Sequence, residues 1–209
     1  MKGSGSIDIA VKGLKDLKKQ LDKMDAQSQT VIKRTVSDFK SRAPAWVSAA
    51  VVSRYGINKT EISNSKKKTK KIVSIKATGT TVDNAALVYQ GRPLTPTHFK
   101  MRPTTRPKST KDENGKTIRR ARPYTVTAEV LKGQREALGP KVFLGSTRKG
   151  KEIPFQRVGK ERKPIEAVKR LAVPQMIEYE QVTQKIREDI DKNLGERFRG
   201  HLKRELSKK

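Results

Sequence analysis

Phe155-Gln156-Arg157-Val158-Gly159-Lys160-Glu161-Arg162-Lys163-Pro164-Ile165 is the stretch on which the reading of this chain turns. It has the form of a strand, a glycine-marked turn loaded with cations, and a proline that fixes the path into the next element. The run continues through Glu166 to Val173-Pro174-Gln175-Met176, where a last helix begins with proline in its first turn. Upstream lie a long helix and several short strands, and downstream lies one amphipathic helix. The expected class is therefore α+β, a small antiparallel sheet packed against a long N-terminal helix and a C-terminal helix.

Working upstream, Ile153 to Val158 and Lys141-Val142-Phe143-Leu144 form a hairpin around Arg148-Lys149-Gly150-Lys151, and Pro154 points to an edge or strand-start position. Tyr124, Val126, Ala128 and Val130 alternate with polar residues as a further strand. Ile72 to Ala77 and Ala85 to Gln90 read as a second hairpin turning near Val82-Asp83-Asn84. Ser6 to Val11 alternates as a first strand, ended by Gly13.

From Leu14 the period becomes helical. Leu14, Leu17, Leu21, Met24, Ser28, Val31, Thr35 and Phe39, widened by Ile32 and Val36, predict one amphipathic helix of about 28 residues, roughly 42 Å long. Pro44 should stop or kink it. A second helical piece with Trp46 as a core anchor and Ala49, Ala50, Val52 and Ser53 as a small-residue face should follow, closed by Gly56 of Arg54-Tyr55-Gly56-Ile57 in the C′ role. Beyond Pro174 the predicted buried stripe is Met176, Tyr179, Val182, Ile186, Ile190, Leu194, Phe198 and Leu202, with Gly195 and Gly200 weakening the final turns.

At 209 residues with 33% hydrophobic residues, the chain suits one domain over 1–209 carrying an extended excursion. That excursion is the stretch from Gly91 to Pro123, which holds half of the ten prolines among Arg, Lys and Thr, with Asp112-Glu113-Asn114-Gly115 as a loop tip. Its composition buries too little apolar surface to order alone, so it reads as a basic, proline-rich arm that wanders or lies along a neighbouring subunit.

Lys and Arg number 49 against 21 Asp and Glu, a net charge of +28, which strains a compact state by self-repulsion and calls for a polyanionic partner. The densest cationic runs are Lys66, Lys67, Lys68, Lys70 and Lys71, and Arg119, Arg120 and Arg122. No aromatic is interleaved with the lysines, so the expected contact is sequence-blind attraction to nucleic-acid phosphates, and these eight residues are the candidate DNA-facing set. A solvated linker is the alternative for the lysine run.

The chain has no cysteine, so it has no disulfide framework and no thiol chemistry. No apolar run approaches the roughly 20 residues that span a bilayer, and no secretory signal is visible, so assembly in the cytosol without membrane partners is expected. His98 and His201 have no ligand-type spacing, and Glu188-Asp189-Asp191 lies among Arg187, Lys192 and Arg197 at helix-pairing distance. No glycine-rich phosphate loop or nucleophile elbow occurs. The expectation is a non-enzyme without metal or cofactor.

Phe155-Gln156-Arg157-Val158-Gly159-Lys160, with Arg162, Pro164-Ile165 and then Ala172-Val173-Pro174, resembles a segment typical of the minor tail protein Z family, the tail-completion proteins of long-tailed bacteriophages. Arg54-Tyr55-Gly56-Ile57 with Glu61-Ile62, the basic β-rich middle and a basic C-terminal helix ending Leu202-Lys203-Arg204-Glu205-Leu206 are also similar to that family. The resemblance covers most of the chain, but its specific motif is confined to 155–174, and the arm from Gly91 to Pro123 departs from the pattern. It implies a virion protein at the head-proximal end of the tail, closing the tube and supporting head–tail joining. It further implies a homo-oligomeric ring, commonly six-fold, with viral DNA in its channel and tail-tube, tail-terminator and head–tail connector proteins as neighbours. The motif residues Phe155, Arg157, Gly159, Lys160, Arg162, Pro164, Ile165 and Pro174 then have a structural role. Composition alone equally suits a free, sequence-independent nucleic-acid-binding protein, and ring formation without nucleic acid distinguishes the two.

Overall fold

The computed structural model describes residues 5–10, 26–62, 73–79, 84–119 and 123–208. The fold is α+β, with two long helices and small antiparallel sheets. Where the sequence reads as one domain with an arm, the chain forms two compact units. The first comprises Met1–Arg54, Lys59–Arg92 and Ala172–Lys209, and the second Tyr55–Asn58 and Pro93–Leu171.

In the first unit, β1 (Gly5–Ala10), β2 (Val73–Thr78) and β3 (Ala86–Gly91) form a sheet of order β1-β3-β2, antiparallel throughout. The expected strand pair is thus present as β2–β3, with Val82 and Asp83 of the expected turn outside the described residues, and β1 completes the sheet on the other side of β3. Tyr89 of β3 stands opposite Ile7 on one side and Ile75 on the other, and both Leu87 and Tyr89 are fully buried.

Helix α1 (Ala26–Arg54) continues past Pro44, where the sequence predicts a stop or a kink, so it does not stop there. The expected start at Leu14 lies outside the described residues. A proline in a helix interior costs about 3 kcal/mol, yet the buried stripe Val31, Thr35, Phe39, Ala43, Val47, Ala50 and Val51 is unbroken across it. Burying side chains such as Phe39, Val47 and Val51 contributes about 1.5–3 kcal/mol each, so packing outweighs the missing hydrogen bond. The same stripe turns the helix so that Trp46 and Val52 are only half-buried and Ala49 and Ser53 face solvent. Trp46 is therefore not the core anchor, and the small-residue face is displaced to Val47, Ser48 and Ala50.

A short helix α2 (Lys59–Ile62) follows. Toward the C-terminus, α3 (Val173–Glu178) starts with Pro174 in its first turn, and Gln175 Oε1 accepts the Ala172 N–H at 2.8 Å. The single helix expected here is broken at Tyr179, whose ψ of 124° is extended, before α4 (Glu180–Leu206). Tyr179 caps the new helix, because its carbonyl accepts the Val182 and Thr183 N–H groups, both at 2.9 Å. Its ring lies 3.9 Å under the Arg54 guanidinium and remains 39% exposed, so it leaves the buried stripe, as does half-buried Leu202. The rest of that stripe is buried as expected, and α4 continues through Gly195 and Gly200.

Helices α1 and α4 pair antiparallel, with Arg54 Nη1 donating to Gln181 Oε1 at 2.8 Å near one end and Arg34 bonded to Glu205 near the other. Between them Asp38 Oδ2 meets His201 Nε2 at 3.0 Å and Arg197 Nη1 at 3.8 Å, while Arg42 Nε reaches Oδ1 at 3.4 Å. Burial alone would raise the Asp38 pKa, but hydrogen bonds from His201 and Arg42 and the charge of Arg197 hold it below its usual value.

The second unit contains β4 (Thr110–Lys111), β5 (Thr117–Arg119), β6 (Thr127–Ala128), β7 (Glu136–Ala137), β8 (Val142–Ser146), β9 (Glu152–Arg157) and β10 (Ile165–Ala167). The expected hairpin at 141–158 is β8–β9, and β10 extends it to a sheet of order β10-β9-β8. Pro154 therefore sits in the central strand, not at an edge. It is tolerated because its carbonyl accepts the Val168 N–H just past the end of β10, at 2.9 Å. A residue's N–H and C=O point to the same side of an antiparallel strand, so the missing donor falls outside both ladders.

The strand expected over 124–130 keeps its alternation, with Val126 and Ala128 buried, although only Thr127 and Ala128 form a ladder with β7. Gly56 is not left-handed, as a C′ glycine would be; its role is a close approach. Its N–H donates to the Val130 carbonyl at 3.0 Å, and a Cβ there would lie 2.0 Å from the Glu129 carbonyl oxygen.

The first part of the expected arm is core. Leu94, Phe99 and Met101 are buried, Leu94 exchanges backbone hydrogen bonds with Leu171 and Arg170, and Arg102 bridges Thr127. The apolar residues Leu94, Phe99 and Met101 are few, but they fall where the backbone is already tied to other segments. The later part forms the β4–β5 hairpin, whose tip is closed by Asp112 Oδ1 accepting the Lys116 N–H at 2.7 Å.

Candidate nucleic-acid interface

The cationic runs singled out in the sequence fall largely outside the described residues. This applies to Lys66, Lys67, Lys68, Lys70, Lys71, Arg120 and Arg122; of Arg119 the backbone is described, paired with Thr110 in the β4–β5 hairpin. The motif residues, by contrast, are placed. Phe155, Arg157, Gly159, Lys160, Arg162, Pro164 and Ile165 form one strand, turn and strand of the second unit, while Pro174 lies in the first unit at the start of α3.

The turn is fixed at both ends. Arg157 pairs with Ile165 across β9 and β10, and the Val158 N–H donates to the Pro164 carbonyl at 3.0 Å. Gly159 has φ +88°, a left-handed conformation that an L side chain resists. The Lys163–Pro164 peptide is cis. Lys160, Arg162 and Lys163 lie on one short exposed loop.

This turn forms one wall of a concavity of about 810 Å³, closed by Arg106, Tyr124 and the segment from Pro140 to Phe143. Six cations line it, Arg106, Lys141, Arg157, Lys160, Arg162 and Lys163, and no acidic side chain does. Among the described residues none of the six is ion-paired. Elsewhere in the same unit cations are neutralised: Lys100 Nζ lies 3.0 Å and Arg135 Nη2 3.7 Å from Glu129. The Gly133 N–H, with Lys100, holds the Glu129 carboxyl below its usual range.

Arg157 is the most constrained of the six. Its guanidinium lies 5.8 Å over the Phe143 ring, and Phe143 stacks with Phe155 at a centroid distance of 6.3 Å and 29° between planes. The Tyr124 hydroxyl accepts the Leu144 N–H at 3.1 Å, which fixes the second aromatic at the rim. Chemically, the arrangement offers several positive charges to one anion, with charge-assisted hydrogen-bond donors on its guanidinium groups.

Sequence reading found Arg157, Lys160 and Arg162 as motif residues but missed their partners Arg106, Lys141 and Lys163. The local density of Lys and Arg in 157–163 was the available signal; Arg106 and Lys141 are isolated in sequence and converge only through the fold. His201 serves Asp38 in the first unit. Among the described residues no group of three or more His, Cys, Asp or Glu could hold a metal ion, and no helix is long and apolar enough to cross a membrane. No protein-family model, curated protein or solved structure matches this chain.

Proposed function

We propose that this protein is a structural component of a long-tailed phage particle, completing the head-proximal end of the tail tube and supporting head–tail joining as a ring around the DNA channel. The observation that carries the reading is the convergence of two independent features on one segment. The strand and turn at 155–165, which bear the resemblance to tail-completion proteins, also build the wall of a cationic concavity whose charges are unpaired among the described residues. A net charge of +28 per chain, repeated around a lumen, is a field in which DNA is held without base readout and later released. The proposed neighbours are further copies of the chain, tail-tube or terminator proteins, head–tail connector proteins and the viral DNA.

The test is electron microscopy of the purified chain without nucleic acid, together with cross-linking of intact particles. Rings in solution and cross-links to neck or tail-end proteins are expected. A monomer that binds DNA and is missing from finished particles would replace this reading with that of a free nucleic-acid-binding protein.

A further inference from the structure

We infer that the concavity formed by the turn at 157–163 with Arg106 and Lys141 is the surface that seats the sugar–phosphate backbone of duplex DNA, and that it, rather than the runs at 66–71 and 119–122, dominates the protein's DNA contact. The inference rests on the reading of the chain as a DNA-channel protein and adds to it a site and a form of ligand.

Three observations carry it. First, six cations line one concavity and none of them is ion-paired among the described residues, the nearby Glu152 carboxylate accepting the Arg106 backbone N–H, whereas Lys100 and Arg135 in the chain's second unit are neutralised on Glu129. Like charges gathered in this way repel one another, and bound phosphates relieve that repulsion while releasing counterions. Second, the receptor is partly set in advance. Arg157 is held against Phe143, and the loop carrying Lys160, Arg162 and Lys163 is closed by the Val158–Pro164 hydrogen bond, so less side-chain and loop freedom is lost on binding.

Third, the lining selects among anions. A pocket for a small ligand encloses most of the ligand's surface, whereas here all six cations stand exposed around an open hollow. Binding single strands needs free aromatic faces for stacking. Phe143 is covered by Arg157 and flanked by Phe155, and Tyr124 is tied to the backbone of Leu144. What remains is recognition of phosphates spaced along a stiff duplex.

The test uses the full chain and a 20-base-pair duplex of arbitrary sequence, with binding followed by fluorescence anisotropy across a salt series. Each phosphate contact contributes about 0.9 to the slope of log K against log salt. The variant Arg157→Gln/Lys160→Gln/Arg162→Gln/Lys163→Gln should therefore lose about 2–4 from the slope, and its affinity at low salt should fall at least about tenfold. Replacing Lys66, Lys67, Lys68, Lys70 and Lys71 by Gln should change the slope by about 1 or less. Because the fourfold variant could perturb the turn, Lys160→Gln/Lys163→Gln is measured beside it, with an expected slope loss of about 1.8; Arg157→Lys/Arg162→Lys, which keeps the charge, should leave the slope in place.

A parental slope in both the fourfold and the twofold Gln variants of the turn overturns the site while leaving the ring-protein reading intact. Failure of the parent to bind duplex at all removes DNA contact from both. Tighter binding of a single strand of equal length overturns the duplex assignment. Polyglutamate binding as tightly as DNA, at matched charge, would make the concavity an acidic-protein contact instead.

Discussion

Gly159→Val isolates the backbone of the turn from its charges. Gly159 has φ +88°, and a Cβ built there meets no atom within 4 Å, so the expected cost is the conformational one. Placing an L residue in the left-handed region costs about 1–2 kcal/mol, and a β-branched side chain falls at the upper end. Removing glycine also narrows the unfolded ensemble, which returns about 0.4–1 kcal/mol. The net expectation is a destabilisation of about 1 kcal/mol or slightly more, or about 2–4 °C in midpoint for a chain of this length. Thermal melts by circular dichroism measure it, and the duplex-binding salt series reports whether Lys160, Arg162 and Lys163 stay aligned. Coincident melts for variant and parent would refute the claim that the turn's geometry is held by a glycine-only conformation.

Gly56→Ala should be more damaging, by about 2–3 kcal/mol in a denaturant titration, because its Cβ would meet the Glu129 carbonyl oxygen at 2.0 Å and displace the Gly56–Val130 hydrogen bond. A loss under about 0.5 kcal/mol would show that the neighbouring backbone yields freely. Asp38 has a folded pKa below its unfolded value, so its contribution is present above about pH 4 and is lost as pH falls further through the folded pKa. Asp38→Asn should lower stability at neutral pH by about 1.5 kcal/mol or more and flatten the acid limb of the stability profile; an acid limb as steep as the parent's would contradict this. Limited trypsin digestion should cut between Arg106 and Lys116 well before Lys100, which is flanked by buried Phe99 and Met101. Early cleavage at Lys100 would show that the 94–102 segment is not core.

Much of the architecture was legible because it rests on short-range patterns. The β2–β3 and β8–β9 hairpins followed from alternation bounded by turn residues, and the α4 stripe from its three-and-four spacing. The failures share a cause in tertiary context. Pro44 is a local helix breaker overruled by the burial of Phe39, Ala43 and Val47 on either side of it. Tyr179 fits the α4 period yet is drawn out under Arg54, a residue 125 positions earlier in the sequence. Pro154, read as an edge or strand-start residue, lies near the start of β9 but in the central strand, because sequence does not reveal which side of a strand lacks a partner. The concavity was half legible, since 157–163 advertises its charge, whereas Arg106 and Lys141 reach it from segments with no local signature.

The pairing of α1 with α4 also sets a schedule for synthesis. Arg34 and its partner Glu205 are 171 residues apart, and Asp38 and His201 are 163 apart. At ordinary translation rates the apolar stripe of α1 waits on the order of 10–30 s before α4 emerges to cover it. The segment 93–171 appears within that interval nearly contiguous, with its ends joined at Leu94, Arg170 and Leu171, so the second unit can close while the first is still incomplete. An α4 from another nascent copy presents the same complementary face during that wait, so chains made side by side on one message have a window in which to exchange their terminal helices.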